Sequence, residues 1–380
     1  MATPVRSVYV HAPFCARRCQ YCDFAVQVRK VGDTAGWLAA LRHEVAGLPA
    51  DGTFRLGDTL DTVYVGGGTP SLLGPEAMAG VADVLGPGRL EGPDLEWTAE
   101  ANPESLTPAL ARAWRAAGVN RISIGIQSFH EPALRWMGRL HGPDGARAAV
   151  ATARAAGIPN ITVDLIFGLP ERLGRDWRAD LDQVLDLDVP HVSLYGLTVE
   201  AGTALGRAVA EGREVPVDEE RYREEFLLAA EVLGGAGYEH YEVSNFARPG
   251  FRARHNGVYW TGAPYLGLGN GAHSYAPPVR RWNLRSWDDY RTRVAEAGTA
   301  EEEREVLDAE ALRLERVWLA LRTDRGWEER RPERAGVARL LHGWVSAGLA
   351  DRRGRTVRLT PQGWLVLDRL AVDLDAALAG

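Results

Sequence analysis

The chain has 380 residues, 46% of them hydrophobic and 25% charged, which is enough apolar sequence for one large core or for several domains. Its formal net charge of −7 gives no electrostatic reason to expect a nucleic-acid or membrane partner. No apolar run approaches the ~20 residues of a membrane-spanning helix, and the chain opens on a predicted strand rather than a leader, so we expect a cytoplasmic protein.

The first half of the chain predicts repeated β/α units. Six short runs of β-branched and apolar residues are predicted strands: Val5–Val10, Thr62–Val65, Leu95–Ala99, Arg121–Ile126, Ile161–Ile166 and His191–Leu194. Helix-like stretches lie between them at Gly36–Gly47, Pro75–Leu85, Pro108–Ala117, Gly145–Ala156 and Arg175–Leu187. This alternation indicates a parallel α/β sheet, either an incomplete TIM-like barrel or a doubly wound sheet. Both place functional loops after the carboxyl ends of the strands.

The predicted elements of the second half are less regular. A helix is predicted over 219–233 and a strand at Tyr238–Val243. The stretch Asn245–Tyr275 is rich in Gly, Asn and aromatic residues and is predicted to be an ordered loop.

The chain changes character at the acidic run 301–303. Helices are predicted at Ala309–Leu321 and Ala335–Ala347, followed by a hairpin and a last helix opened by Thr360-Pro361. This order indicates a small winged-helix-like α+β module, which we interpret as structural or as a partner surface because its acidic entrance argues against DNA binding. The predicted domains are a partial barrel at 1–200, a barrel extension at 201–300 and the C-terminal module at 301–380.

All three cysteines lie in one eight-residue run, Cys15-Ala16-Arg17-Arg18-Cys19-Gln20-Tyr21-Cys22. Cubane iron–sulfur clusters are normally held by four cysteines, and the chain has no fourth. The run therefore predicts a [4Fe–4S] cluster with one iron open to another ligand. A zinc site completed by His11 is an alternative, whereas the odd count and tight spacing argue against a disulfide framework.

Further polar signals follow the predicted strands. The run Gly66-Gly67-Gly68-Thr69-Pro70 allows close approach of a ligand and predicts a nest of free backbone N–H groups for an anion or carboxylate. Glu100, Gln127 and Asp164 come at the ends of later strands. Each alone is equally well explained as a turn former or loop cap, but together they are expected to face the same mouth as the cysteine run.

The CxxxCxxC spacing and the order of these motifs resemble the radical S-adenosylmethionine (radical SAM) proteins over essentially the whole chain. The resemblance implies an incomplete (β/α)6 TIM-like barrel in which Cys15, Cys19 and Cys22 hold the cluster. It also implies that S-adenosylmethionine (SAM) chelates the fourth iron through its amino and carboxylate groups. The residues implied to contact the cofactor are Tyr9, Tyr21, Gly67, Gly68, Thr69, Glu100, Gln127, Arg139, Asp164 and Thr198. The three-residue Gly67–Thr69 segment is assigned to the methionyl amine, Arg139 to a carboxylate and Asp164 to ribose hydroxyls.

More narrowly, the chain resembles the group that contains oxygen-independent coproporphyrinogen III oxidases and HemW heme chaperones. The oxidases carry a fourth cysteine two residues after the third and a longer N-terminal arm, whereas here that position is Phe24. The run His255-Asn256-Gly257-Val258-Tyr259-Trp260 fits the HNxxYW pattern of the chaperones. The resemblance therefore implies that heme is cargo, passed to acceptor hemoproteins such as respiratory ones.

A histidine among aromatic residues suits an axial heme ligand. The candidate heme residues are His255, Tyr259, Trp260 and, as a second histidine, His273. A histidine hydrogen-bonded inside an ordered loop explains His255 equally well. Two other functions stay open: a radical enzyme that decarboxylates coproporphyrinogen III or modifies another substrate through a 5′-deoxyadenosyl radical, and a heme-degrading radical methyltransferase. Phe24 and the HNxxYW run favour the chaperone.

Overall fold

The computed structural model of the chain describes residues 2–329 and 335–379. Within them the backbone forms nineteen strands and fourteen α-helices. The strands are β1 (Thr3–Val5), β2 (Ser7–Ala12), β3 (Phe14–Cys15), β4 (Gln27–Val28), β5 (Phe54–Leu56), β6 (Thr62–Gly67), β7 (Glu96–Ala101), β8 (Arg121–Gln127), β9 (Asn160–Phe167), β10 (His191–Gly196), β11 (Glu239–Glu242), β12 (Asn245–Ala247), β13 (Leu266–Leu268), β14 (His273–Ala276), β15 (Val279–Asn283), β16 (Glu301–Val306), β17 (Trp327–Glu328), β18 (Ala350–Arg353) and β19 (Thr356–Leu359).

The helices occupy the connections between these strands. They are α1 (Thr34–Asp51), α2 (Ala77–Leu85), α3 (Pro108–Ala117), α4 (Glu131–Met137), α5 (Pro143–Ala155), α6 (Trp177–Asp186), α7 (Ala204–Ala210), α8 (Glu219–Gly235), α9 (Arg254–Thr261), α10 (Trp287–Ala297), α11 (Ala309–Leu321), α12 (Ala335–Ser346), α13 (Pro361–Trp364) and α14 (Leu367–Ala379). Among the described residues, no helix is long and apolar enough to cross a membrane.

The main sheet has nine strands in the order β11-β12-β10-β9-β8-β7-β6-β2-β13. The strands from β10 through to β13 in that order run parallel to their neighbours, and β12 and β11 are antiparallel additions at one edge. The six strands predicted in the first half are β2, β6, β7, β8, β9 and β10, with helices in every connection. The predicted α/β fold with a parallel sheet is therefore confirmed.

Alternation along the strands separates the core from the functional face. Ile122, Ile124 and Ile126 of β8 are fully buried. Ser123 and Gln127, at the alternate positions of the same strand, line a cavity. Because successive side chains of a strand point to opposite faces, one set packs in the core and the other reaches the cavity.

The prediction that Asn245–Tyr275 is a loop is wrong. This stretch contains β12, α9 and β13, and it ends within β14. The buried strand β13 pairs with β2 through Leu266–Leu268 and so extends the main sheet. Elements of three to eight residues carry too little periodicity to be recognised, because tertiary contacts rather than local propensity stabilise them.

A second, three-stranded sheet has the order β14-β15-β16. The acidic strand β16 pairs with the arginine-bearing β15, and Arg281 contacts Glu301 at 3.4 Å. Residues on both sides of the predicted boundary at 300/301 therefore share one sheet.

After β16 the chain forms α11, α12 and the three-stranded sheet β17-β19-β18, and then the last two helices. Thr360 caps α13 as expected, accepting a hydrogen bond from the Gly363 N–H at 3.2 Å; the winged-helix-like interpretation stays a prediction.

Candidate functional site

A cavity of about 530 Å³ opens at the carboxyl ends of the parallel strands, which is where sheets of this kind place their ligand sites. Twelve of the residues predicted from sequence line it together: Cys15, Cys19, Tyr21, Cys22, Gly67, Gly68, Thr69, Glu100, Gln127, Arg139, Asp164 and Thr198. Its volume is in the ordinary range for a small-molecule or cofactor site.

The three thiols are free and half-buried on the loop that follows β2. β3 and β4 pair across the base of this loop. The carbonyl oxygen of Ala25, near its end, lies 3.0 Å from His11 Nε2 and accepts a hydrogen bond from Asn270 Nδ2 at 2.8 Å. The strand pairing and the Ala25 contacts thus hold both ends of the cysteine loop in place, and its thiols line one cavity.

The donor set suits a multi-iron cluster better than a single metal ion. Among the described residues, no three His, Cys, Asp or Glu side chains converge to hold one ion. The ring of His11, the proposed fourth zinc ligand, is already engaged at both nitrogens, with Tyr9 Oη at 3.1 Å and the Ala25 carbonyl at 3.0 Å. The zinc alternative is therefore not supported, whereas ligands of a cubane bind different irons and stand apart.

The surroundings of the thiols decide their protonation while no metal is bound. Burial raises the pKa of Cys15 to about 11, and it also raises the pKa of Cys22. Thr69 Oγ1 donates to Cys15 Sγ at 3.4 Å, and Arg139 Nη1 lies 3.9 Å from Cys19 Sγ. Without a metal, Cys15 and Cys22 therefore keep their protons at neutral pH, and cluster binding releases them.

The glycine run packs tightly against the base of the cysteine loop. A Cβ on Gly67, whose φ is +101°, would lie 2.3 Å from the His11 ring, and one on Gly68 would lie 2.6 Å from the Ala12 carbonyl. The N–H groups of Gly67, Gly68 and Thr69 all donate within the protein, to the Glu100 carboxylate and the Ala12 and Phe14 carbonyls respectively. The prediction that these N–H groups are free to bind an anion is therefore wrong. A ligand's ammonium group could bind here only through acceptor oxygens.

Two carboxylates, Glu100 of β7 and Asp164 of β9, line the cavity from strands on either side of β8. Glu100 accepts hydrogen bonds from Tyr64 Oη at 2.7 Å and from the Gly67 N–H at 3.0 Å. Asp164 accepts from Ser123 Oγ at 3.2 Å. Burial raises the pKa of Glu100 to about 7 and that of Asp164 to about 6. A cationic ligand would shift both groups to their charged form.

Arg139 approaches from the segment after α4. Its Nη2 donates to Asn102 Oδ1 at 2.8 Å and to the Gly125 carbonyl at 2.5 Å. Its Nε is buried without a hydrogen-bond partner. Gln127 ends β8 at a bulge with φ of +70°, a strained conformation that is common where side chains serve a site.

Sequence reasoning missed further residues that line the cavity, among them Tyr64, Asn102, Ser123 and Tyr195. The alternation of side chains along a strand was the available signal for two of them: Ser123 is four residues before Gln127 in β8, and Tyr195 is two residues after Ser193 in β10. Asn102 follows β7 directly, and its place after a strand was its signal.

The HNxxYW run forms α9, which lies away from the cavity. Thr62 Oγ1 is 2.8 Å from Nδ1 of His255, and Tyr259 Oη is 2.9 Å from Nε2. The backbone N–H of His255 donates to Glu96 Oε1 at 2.9 Å. Thr62 and Glu96 are the first residues of β6 and β7, so His255 closes the amino end of the sheet, opposite the cysteine loop.

His255 is 1% exposed, and its burial lowers its pKa to about 3. Both ring nitrogens are engaged, which agrees with the alternative that His255 is a histidine hydrogen-bonded within the fold. A heme iron would have to displace Thr62 or Tyr259 to bind either nitrogen. Trp260 carries the guanidinium of Arg322 over its ring at 5.0 Å. Tyr9 is also outside the cavity lining, with its ring 6.1 Å from that of Tyr64.

His273, the second candidate heme histidine, is placed differently. It is the first residue of β14, its side chain is exposed, and its ring stacks on that of Trp282 with centroids 5.5 Å apart.

Residues 9–184 match the Radical SAM superfamily. The heme chaperone HemW of Mycobacterium tuberculosis is 39% identical over 366 residues, which cover 95% of this chain and 92% of that protein. HemW of Bacillus subtilis is 31% identical over 371 residues, covering 95% and 97%. Coproporphyrinogen III oxidase HemN from Escherichia coli, a radical SAM enzyme, has the same fold: its structure superposes with a TM-score of 0.80 at 21% identity over 98% of this chain and 90% of its own. The chain belongs to the radical SAM superfamily and, within it, to the family of HemW heme chaperones.

Proposed function

We propose that this protein binds heme and transfers it to acceptor hemoproteins, with a [4Fe–4S] cluster on Cys15, Cys19 and Cys22 and SAM on the open iron. The observation that carries the cofactor part is the meeting of exactly three free thiols with cofactor-type polar residues in one cavity. The cargo part is supported by the HemW relatives, which are named heme chaperones and align along nearly the whole chain. The expected cytoplasmic location stays a prediction.

In this proposal the chain's own groups bind and orient the cofactor. Arg139 would pair with the methionyl carboxylate, because its guanidinium lines the cavity beside Cys19. Carbonyl oxygens of the glycine run would accept from the ammonium group. Glu100 and Asp164 would balance the positive charge of the ligand and accept from ribose hydroxyls. When bound, the cluster and SAM supply one-electron reduction of a sulfonium.

The rival function is a radical enzyme that decarboxylates coproporphyrinogen III in the same cavity. Its chemistry needs substrate turnover, whereas a chaperone needs only binding and release. Phe24, which stands where the oxidases carry a fourth cysteine, favours the chaperone; it lines the same cavity and is 60% exposed.

The test uses one preparation, reconstituted anaerobically with iron and sulfide. The chaperone proposal expects saturable heme binding followed by transfer of that heme to an apo-hemoprotein, with no consumption of coproporphyrinogen III under dithionite and SAM. Formation of protoporphyrinogen with stoichiometric 5′-deoxyadenosine would overturn the proposal in favour of the enzyme. Absence of saturable heme binding would overturn it as well.

A further inference from the structure

We propose that the cargo heme is ligated by His273, at the edge of the three-stranded sheet beside the cysteine loop, and not by His255 of the HNxxYW run. The inference rests on the proposed heme-chaperone function and names the site of that function. Three properties of His273 carry it: free ring nitrogens, a fixed ring orientation and a position next to the cluster-binding loop.

The first property is availability. An axial ligand needs an imidazole nitrogen with a free lone pair. Three of the nine histidines have both ring nitrogens in contacts within the protein: His11, His141 and His255. Three more have one nitrogen in such a contact and are not exposed: His130, His191 and His240. The other three, His43, His273 and His342, are exposed. In the part of the chain that the structure describes, the His273 ring makes no hydrogen bond.

The second property is orientation. His273 and Trp282 form a cross-strand pair between β14 and β15, and their rings stack at an interplanar angle of 27°. A ring held this way loses little freedom when it binds a metal, and the indole adds an apolar surface for a porphyrin edge. His43 and His342 lie on the outer faces of α1 and α12 and have no aromatic partner among the described residues.

The third property is position. Asn270, three residues before His273, donates to the carbonyls of Ala25 at 2.8 Å and Arg285 at 3.0 Å. Arg285 Nη2 donates in turn to the carbonyl of Asp23 at 2.6 Å. Three residues of extended chain span about 10 Å at most, so a heme on His273 reaches the end of the cysteine loop. Phe24, a large apolar residue that is exposed, lies on that loop two positions after Cys22.

The charges around His273 suit a heme with two propionates. Partial burial, and after it the charges of Arg280 and Arg285, lower the pKa of His273, which keeps the imidazole neutral and able to ligate. Arg280 is occupied by Glu315 and Glu305. Arg285 is 58% exposed, and its Nη2 contacts the Asp23 carbonyl at 2.6 Å and the Asp23 carboxylate at 3.4 Å, so its other N–H groups are left for a propionate.

The experiment titrates ferric heme into the cluster-reconstituted full-length chain, without oxygen, and follows the Soret band and the EPR signal of the ferric heme. We expect His273→Ala to weaken heme binding by about tenfold or more and to remove the imidazole-ligated spectrum. Added imidazole restores that spectrum. His43→Ala and His342→Ala are the matched controls and keep wild-type titrations.

Metal-free protoporphyrin IX separates ligation from general damage, because it has no iron to ligate. We expect His273→Ala to bind it as the wild type does. A His273→Ala protein that keeps the wild-type Soret band and affinity would overturn the inference while leaving the chaperone proposal in place. So would loss of imidazole ligation in His255→Ala alone. A wild-type chain that binds no heme would overturn both.

Discussion

Glu100 accepts a hydrogen bond from the backbone N–H of Gly67 at 3.0 Å, which ties the end of β7 to the glycine run at the end of β6. The bond consumes the N–H group that a phosphate- or carboxylate-binding loop would offer, and it turns the carboxylate toward the cavity. Glu100 and Asp164 both line the cavity, from strands on either side of β8, and give it two acidic groups. Acidic groups suit SAM, whose sulfonium and ammonium groups are both cationic.

The affinity for SAM should depend on pH. Burial raises the pKa of Glu100 to about 7 and that of Asp164 to about 6, so both carboxyls are largely protonated below these values and charged above them. We expect the affinity of the cluster-loaded protein to rise from about pH 6 to about pH 8. Anaerobic calorimetric titration with SAM checks this.

The matched variant for that titration is Glu100→Gln, which keeps a polar side chain of the same size. It should bind SAM more weakly at the upper pH and show a flatter pH profile, governed by Asp164 alone. An affinity independent of pH in the wild type would contradict the assignment of these carboxyls to a cationic ligand.

Gly68→Ala should damage the cysteine loop. Its Cβ would lie 2.6 Å from the Ala12 carbonyl and 2.7 Å from the Phe14 carbonyl, both of which are backbone atoms that have little room to move. We expect a loss of about 2–4 kcal/mol in the free energy of unfolding and less iron per chain after reconstitution. Gly88→Ala is the control, since a Cβ there has no atom within 4 Å. Equal iron content in the two variants would refute this packing argument.

His255→Ala should act on stability. It removes the partner of Thr62 Oγ1 and Tyr259 Oη in a buried position, and such unpaired groups cost about 1–3 kcal/mol each. We expect a fall of a few kcal/mol in the free energy of unfolding, measured by denaturant titration, whereas the exposed His43→Ala should change it by less than about 0.5 kcal/mol. A His255→Ala protein as stable as the wild type would show that α9 does not close the sheet as described.

Much of the site could be predicted because it follows local rules. The cysteine spacing, the glycine run and polar residues such as Asp164 all come at the carboxyl ends of parallel strands, and parallel strands bring those ends together. Gln127 reaches the cavity for the same reason, at the end of β8, whereas Arg139 lies just after α4 and was predicted only from the family resemblance.

The buried position of the HNxxYW run in the fold could not be predicted from sequence. His255 is buried because Thr62, 193 residues earlier in the chain, meets its ring at the amino end of the sheet. Contacts of this range leave no periodic pattern near the histidine. The same applies to β13, whose three residues become a strand only because the exposed edge of β2 is available for pairing.

We propose that three cysteines hold a cluster whose fourth iron binds SAM. The most direct measurement is the EPR spectrum of the dithionite-reduced, reconstituted protein recorded with and without SAM. We expect a [4Fe–4S] signal that shifts when SAM is added and that is absent from the Cys19→Ser variant. A [4Fe–4S] signal identical with and without SAM would contradict the open iron, and a signal retained in Cys19→Ser would contradict the ligand assignment.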